Sequence, residues 1–427
     1  MSGRKRLGGA IRRTPLLAGL PREVAILSAV AFCVALGFGI LAPALPVFAR
    51  SFGVSALEAS SVISVFALVR FVTSPLSGAL VDRLGERVVM STGLIIVSAS
   101  SAFAGLSQSF NQLLLLRGIG GFGSSMFTVS AMALLLRVVE TEQRGRAAGA
   151  FQGGFLLGGV AGPAVGGLVV AWSIRAPFFV YAVTLMAAAV VALVFMARSR
   201  LQEREEKVAD GQANNLQQLR TALRDRAYQA ALGTNLVTGF VLFGLRISAV
   251  PLFVTEGMDR GASMAGVGFL VAAALQALLL LPAGRMADTQ GRRKAMLIGT
   301  LGTTAGMVVL TLADIATNGW GTQAVAGTAL FLFAMAIQGV ASAFLGSAPA
   351  AVVGDILGGR RGGIVVATFQ MMADVGAVIG PLVAGILIDQ FDFDWAFAAG
   401  AAVSLLAVIL VFVMPETLNR TRRPATE

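Results

Sequence analysis

The sequence predicts an all-α membrane protein of twelve transmembrane helices in two pseudo-symmetric six-helix halves. Three observations carry this: an apolar composition broken at regular intervals, basic residues that gather at alternate breaks, and a repeat at about half the chain length. Of 427 residues, 56% are hydrophobic and 13% charged, and mean hydropathy is +0.81. Soluble domains carry about 25% charged residues, so this chain has too little polar surface to stay dissolved. Glycine numbers 51. Small residues let helices approach closely in lipid, where hydrophobic burial gives no drive between them.

Apolar blocks of about 20 residues are long enough to cross a ~30 Å hydrocarbon core. They fall at 24–48, 57–81, 88–107, 111–136, 147–171 and 176–197, and again at 230–254, 264–284, 294–313, 325–350, 363–388 and 394–414. This gives a basic N-tail (1–23), a first half (24–197), a central loop (198–229), a second half (230–414) and a C-tail (415–427). In the central loop, Leu216, Leu219 and Leu223 recur at helical spacing, which predicts a short helix lying on the membrane surface.

Of 33 Lys and Arg, 27 fall in segments on the N-terminal side of the membrane; three (Arg50, Arg175, Arg260) fall on the other side, and three (Arg70, Arg117, Arg246) within spans. This is a positive-inside distribution with an even number of spans and both termini cytoplasmic. The net charge of +11 is therefore a topology signal and no nucleic-acid footprint. No small-residue cleavage site follows the basic N-terminus, so the first span is expected to be retained. The triplet Asn419-Arg420-Thr421 lies on the cytoplasmic tail and is expected to be unmodified. Arg outnumbers Lys 30 to 3, which points to a GC-rich bacterial genome and an inner-membrane location.

One cysteine, Cys33, allows no internal disulfide and reads as a small apolar side chain in the first span. There is no histidine, which excludes histidine-ligated metals, Ser-His-Asp triads and histidine proton relays. No cofactor or metal is expected. Proton chemistry is left to carboxylates.

The halves align by hand. Leu45-Pro46-Val47-Phe48 matches Val250-Pro251-Leu252-Phe253 at an offset of 205, and Gly78…Asp82…Gly85 matches Gly284…Asp288…Gly291 at 206. Phe151-Gln152 matches Phe369-Gln370, and Gly162-Pro163 matches Gly380-Pro381, both at 218. The change in offset falls where the second half carries a longer outside loop, Asp314–Ala324. Six-span halves repeated in one orientation are related by an axis along the membrane normal.

Several segments carry a recognisable pattern. Leu36-Gly37-Phe38-Gly39-Ile40-Leu41-Ala42-Pro43-Ala44-Leu45-Pro46 fits lgxxxxxPxLP, and Gly78-Ala79-Leu80-Val81-Asp82-Arg83-Leu84-Gly85-Glu86-Arg87 fits GxLaDrxGrk. In the latter, Glu86 stands where a base is usual and is expected to weaken the local positive cluster. Leu113…Arg117…Gly120-Gly121-Phe122-Gly123 is similar to lxxxRxxqGxg, with Gly120 for glutamine. Gly158-Gly159-Val160-Ala161-Gly162-Pro163-Ala164-Val165-Gly166-Gly167 fits gxxxGPxxGG in full, and Pro415-Glu416-Thr417 closes the last span. With these motifs the chain resembles the major facilitator superfamily over nearly its whole length, specifically its twelve-span drug:proton antiporter branch. The resemblance implies that the Asp82 and Asp288 loops, with Arg83 and their glycines, latch the halves on the cytoplasmic side. It also links Arg117 to proton coupling.

Glycines 158, 162 and 166 form a bare stripe on one helix face, and Pro163 removes a backbone donor within it. This is a tightly packed, bendable hinge against the first span, echoed by Gly380 and Pro381 in the eleventh. An alanine at Gly380 is expected to be milder than a leucine at Gly162.

Charge within the bilayer costs at least ~2.5–3.5 kcal/mol and is functional by default. Asp374, halfway along the eleventh span, is the one carboxylate expected near mid-membrane, with Gln370 one turn before it. Arg70, Arg117 and Arg246 join it as candidate coupling charges. In the fold that the resemblance implies, Arg70 could pair with Asp374; a static Arg246–Asp374 pair is the alternative. Asn235, Gln152, Gln338 and Gln370 are candidate cavity residues.

Taken together, these features predict a monomeric proton-coupled exporter of small lipophilic molecules acting by alternating access. Its partners are its substrate, protons and the bilayer. The absence of GxxxxGK[ST] argues against nucleotide drive. An importer of a small polar or anionic solute stays open, as does, more remotely, a membrane enzyme or receptor; neither a catalytic cluster nor a large soluble domain supports the last.

Overall fold

The computed structural model describes residues 21–139, 144–195, 212–319, 324–357 and 363–418. Most of the basic N-tail, residues 198–211 of the central loop, Arg360, Arg361 and the Asn419 triplet lie outside the described residues. All regular structure within them is helical, and twelve helices are long and apolar enough to cross a membrane.

In order, the spans are Arg22–Leu41, Ala56–Leu84, Glu86–Gly105, Phe110–Leu135, Ala150–Trp172 and Ala176–Phe195, then Arg226–Gly257, Ala262–Gln290, Arg292–Thr317, Val325–Leu357, Ile364–Gln390 and Phe393–Val413. The first span ends earlier than hydropathy implies. Residues 42–44 form a turn and a separate short helix, Leu45–Arg50, follows. Pro43 explains the break, since its ring clashes with the preceding turn and it has no N–H to continue the helix. The ninth helix runs on to Gly319, beyond the expected loop start at Asp314. Asp314 tolerates this because its carboxylate is buried and accepts the backbone N–H of Asp394 at 3.0 Å. In the central loop, Gln212–Leu223 is a helix that docks Ala222 and Leu219 on an apolar cluster around Tyr228, while Leu223 stays exposed.

The described chain forms two compact units. One holds the first span and the helices from Val69 to Phe195; the other holds Leu45–Leu68 and the helices from Gln212 onward. The second span is thus divided between units. Within the first unit, span 1 packs on spans 5 and 6, and span 3 on spans 4 and 6. Within the second unit, span 7 packs on spans 11 and 12, and span 9 on spans 10 and 12. The two pairing schemes are the same, so the repeat read from sequence is a repeat of packing. The second unit's core centres on Phe253, whose ring meets Phe331, Phe393 and Phe397 at 6.5, 5.7 and 5.3 Å.

Glycine governs the closest crossings. A Cβ at Gly158 would lie 2.7 Å from the Leu36 nitrogen, at Gly162 2.7 Å from the Leu36 oxygen, and at Gly166 2.9 Å from the Ile40 Cα. The facing surface is bare as well, since a Cβ on Gly39 would meet Pro163 Cδ at 2.9 Å. In the second unit, a Cβ on Gly244 would meet Pro381 Cδ, also at 2.9 Å. Gly39 and Gly244 differ by the same 205 residues as the Pro46 and Pro251 motifs.

The seventh span departs from an ideal helix. Thr238–Leu245 and Phe253–Gly257 are π-helical, on either side of Arg246–Leu252. The Met258 N–H donates to the Phe253 oxygen five residues back, at 2.8 Å. Pro251 has no N–H to give to Ile247, and Gly239 and Gly244 tolerate the wider turn.

Candidate functional site

The motif loops come first. In the second unit the chain leaves the eighth span through Gly291, whose φ of +123° suits only glycine. Arg292 opens the ninth span and holds two acids: it pairs with Asp288 one turn back, and its Nε meets Asp355 at 3.2 Å. Glu416, from the Pro415-Glu416-Thr417 terminus, caps that helix by accepting the N–H groups of Arg292 at 2.8 Å and Arg293 at 3.1 Å. A carboxylate at a helix N-terminus satisfies orphan donors and complements the dipole. The Thr417 hydroxyl donates to Asp355 at 2.9 Å, closing the cluster.

The first unit makes the same turn through Gly85, φ +82°. Its ion pair has the opposite sense. Glu86 is buried, 5% exposed, and meets Arg137 at 3.1 Å. Glu86 aligns with Arg292 at the loop offset of 206, and Arg137 aligns with Asp355 at 218. The two halves therefore carry one ion pair with its signs exchanged. Glu86 is thus also a structural partner, buried against Arg137. Asp82 and Arg83 are exposed, and a Cβ at Gly78 or Gly284 would meet nothing within 4 Å. These two glycines admit no close neighbour here.

Among the intramembrane charges, Arg117 is 3% exposed and Arg70 half-buried, and both lie within coulombic range of Tyr181. Tyr181 was not singled out from sequence. It is 3% exposed and fits because Gly37 faces it: a Cβ there would come 2.5 Å from its ring. Gly37, in the Leu36-Gly37-Phe38-Gly39 segment, thus makes room for one of the chain's two tyrosines. In the second unit Asp374 is half-buried and Gln370 exposed on the eleventh span. Arg246 is half-buried and stands over the Phe269 ring at 5.9 Å. It makes no ion pair among the described residues, so the static Arg246–Asp374 alternative does not form.

The amide candidates divide. Gln152 is exposed. Asn235 uses its Nδ2 to tie span 7 to span 11, donating to the Phe369 oxygen at 2.6 Å. Gln338 is fully buried between spans 9 and 10, with Nε2 3.4 Å from the Thr303 oxygen, so it is closed off from any cavity. Gly167 is half-buried at the end of the fifth-span stripe.

At the opposite end of the second unit lies a set of contacts absent from the sequence reading. Arg50 makes a two-pronged pair with Glu256, Nε at 2.7 Å and Nη2 at 2.6 Å. By accepting these bonds Glu256 raises the Arg50 pKa against the pull of burial. Asp389 forks over the start of the second span, accepting the Ala56 and Leu57 N–H groups, each at 2.8 Å. Ser64 donates to the Val378 oxygen at 2.7 Å. Gly385 lets the helices meet, since a Cβ there would lie 2.8 Å from the Leu57 nitrogen. A partly exposed pair like Arg50–Glu256 is worth on the order of 1 kcal/mol.

Comparisons with known proteins agree with this architecture. The sequence pattern of the Major Facilitator Superfamily matches residues 27–275 and 236–427. The Quinolone resistance protein NorA of Staphylococcus aureus (strain MRSA252) is 30% identical over 148 residues, 35% of this chain; the chain spans only 38% of that relative's length. Multidrug resistance protein 2 of Bacillus subtilis (strain 168) is 23% identical over 396 residues, 91% of this chain and 94% of the relative. A crystal structure of a bacterial homolog to the human lysosomal transporter Spinster, inward-facing and unoccupied, shares the fold with a TM-score of 0.67 and 16% identity, covering 92% of this chain and 94% of that one. The inward-facing, occupied form gives 0.68.

Proposed function

Because the chain belongs to the Major Facilitator Superfamily, whose members are transporters and not enzymes, we propose that it is a proton-coupled exporter of small lipophilic molecules. Alternating access carries protons inward and the substrate outward. The fifth-span glycine stripe, packed backbone to backbone on the first span, carries this reading; the full gxxxGPxxGG form goes with exporters in the branch the sequence resembles. Relatives named for quinolone and multidrug resistance support the substrate class. Asp374 takes up and releases the proton, since a chain without histidine leaves this to a carboxylate. Arg70 and Arg117 are further coupling charges within the spans, and the Asp82 and Asp288 loops bias one access state over the other. The protein acts as a monomer in a bacterial inner membrane, both termini cytoplasmic, without a cofactor.

The test is transport in proteoliposomes under an imposed pH gradient, with ethidium as the lipophilic probe. Gradient-driven ethidium movement should appear with the protein and collapse on adding a protonophore. Asp374→Asn should lose substrate-driven proton flux while still exchanging ethidium for ethidium. Full proton flux in Asp374→Asn would remove Asp374 from the mechanism. Ethidium accumulating in cells as expression rises would overturn the export direction.

A further inference from the structure

Arg246 occupies an unusual setting. It opens the short α-helical stretch between two π-helical segments of the seventh span. π-turns rotate side chains out of helical register and recur at functional positions. The position aligned with it in the first half is Leu41, so the repeat does not require a charge there. Its Nε is buried without a hydrogen-bond partner, and no carboxylate among the described residues pairs with it. The residue as a whole is half-buried and not sealed in the core. The Phe269 ring, itself 6% exposed, sits 5.9 Å from the guanidinium carbon. An aromatic neighbour steadies the cation and leaves in-plane donors unused.

We propose that Arg246 is a recognition site for the oxyanion of an amphipathic ligand: its guanidinium binds a carboxylate or similar planar anion, and Phe269 forms the adjoining wall for the ligand's apolar part. A planar fork matches a carboxylate in two-pronged fashion, and the apolar surroundings strengthen the pairing. The site deepens the exporter reading by adding acidic and zwitterionic amphiphiles to its substrates. It rests on that reading only for the ligand's route across the membrane. The oxyanion could belong to a solute or to an anionic lipid headgroup, since both present the same chemistry.

Equilibrium binding of radiolabelled 4-phenylbutyrate and of its methyl ester to the full-length protein in phosphatidylcholine nanodiscs tests the site, with empty discs as the partition blank. No gradient is used, so failure of proton coupling leaves the result untouched. The acid should bind the unsubstituted protein more tightly than the ester. Arg246→Gln should weaken acid binding about ten- to a hundredfold, the range that loss of a charge-assisted hydrogen bond gives, and leave the ester unchanged. Arg246→Lys should keep a reduced acid preference, and it serves if the glutamine variant does not fold. Discs containing phosphatidylglycerol separate the two sources: Arg246-dependent displacement of the acid assigns the site to lipid headgroups, and unchanged binding assigns it to solutes. Equal affinity for acid and ester, or an acid preference that survives Arg246→Gln, overturns the proposal.

Discussion

Gly162→Leu is expected to abolish transport. The Cβ alone would lie 2.7 Å from the Leu36 oxygen and 2.8 Å from the Gly39 Cα, so the obstacle is backbone on both sides. Overpacking a well-fitted interior costs roughly 1–3 kcal/mol where side chains can yield, and backbone yields less. The first and fifth spans would separate, and any motion relying on their contact would be lost. The sequence reading expected Gly380→Ala merely to slow the protein. The structure revises this: a Cβ at Gly380 would fall inside 3.0 Å of the Phe240 carbonyl oxygen, and even alanine forces the seventh span away. Both variants should therefore drop ethidium transport to background. Gly159→Ala should stay near the unsubstituted rate, because a Cβ there meets nothing within 4 Å. Retained transport in Gly162→Leu, at equal expression and with a single size-exclusion peak, would make the stripe a packing accident.

The second large effect concerns the sign-exchanged ion pair. Glu86→Arg places a second cation beside Arg137 in a site where Glu86 is only 7% exposed at its side chain. Removing one partner of a buried pair costs about 3–5 kcal/mol. Arg137 is 41% exposed and can turn to solvent, so a loss of about 2 kcal/mol is expected after screening. The double variant Glu86→Arg/Arg137→Asp reproduces the arrangement that Arg292 and Asp355 already hold in the second half. It should recover most of the lost thermal stability and transport. If the double variant is as unstable as the single, the two pairs are not equivalent and the repeat does not extend to this contact.

The twelve spans and the glycine stripe were legible because each is a local, periodic property: hydropathy over twenty residues, or glycine every fourth residue. The glycine crossing of the seventh and eleventh spans followed from the same offset. The π-turns were hidden because one extra residue per turn leaves the apolar pattern of a largely buried helix unchanged. The Pro43 break was visible as a residue but was absorbed into a long apolar block. Glu86 was read as a lost base because its partner Arg137 closes a different helix, yet opposite charges at both aligned positions were already in the sequence. Arg50 was counted as a loop charge for topology, and no periodicity links it to Glu256. Asn235 was placed by its spacing from Arg246 on one helix face, but spacing within one helix does not show that its amide is spent on the Phe369 oxygen of another, and nothing in the sequence marks Gln338 as buried.

The Asp389 fork makes two ordinary backbone amides informative. Ala56 and Leu57 lie at the start of a helix, where N–H groups have no acceptor within the helix itself. Asp389 supplies one to each. Either amide can trade its proton with solvent only after that carboxylate lets go and water takes its place. Their hydrogen–deuterium exchange therefore counts release events directly, without any attached label. It should quicken in Asp389→Ala and in Arg50→Ala, whereas amides beside the Phe253 ring cluster should keep their rate. The same measurement, with and without bound ligand, would show whether binding holds that end of the second span or sets it free.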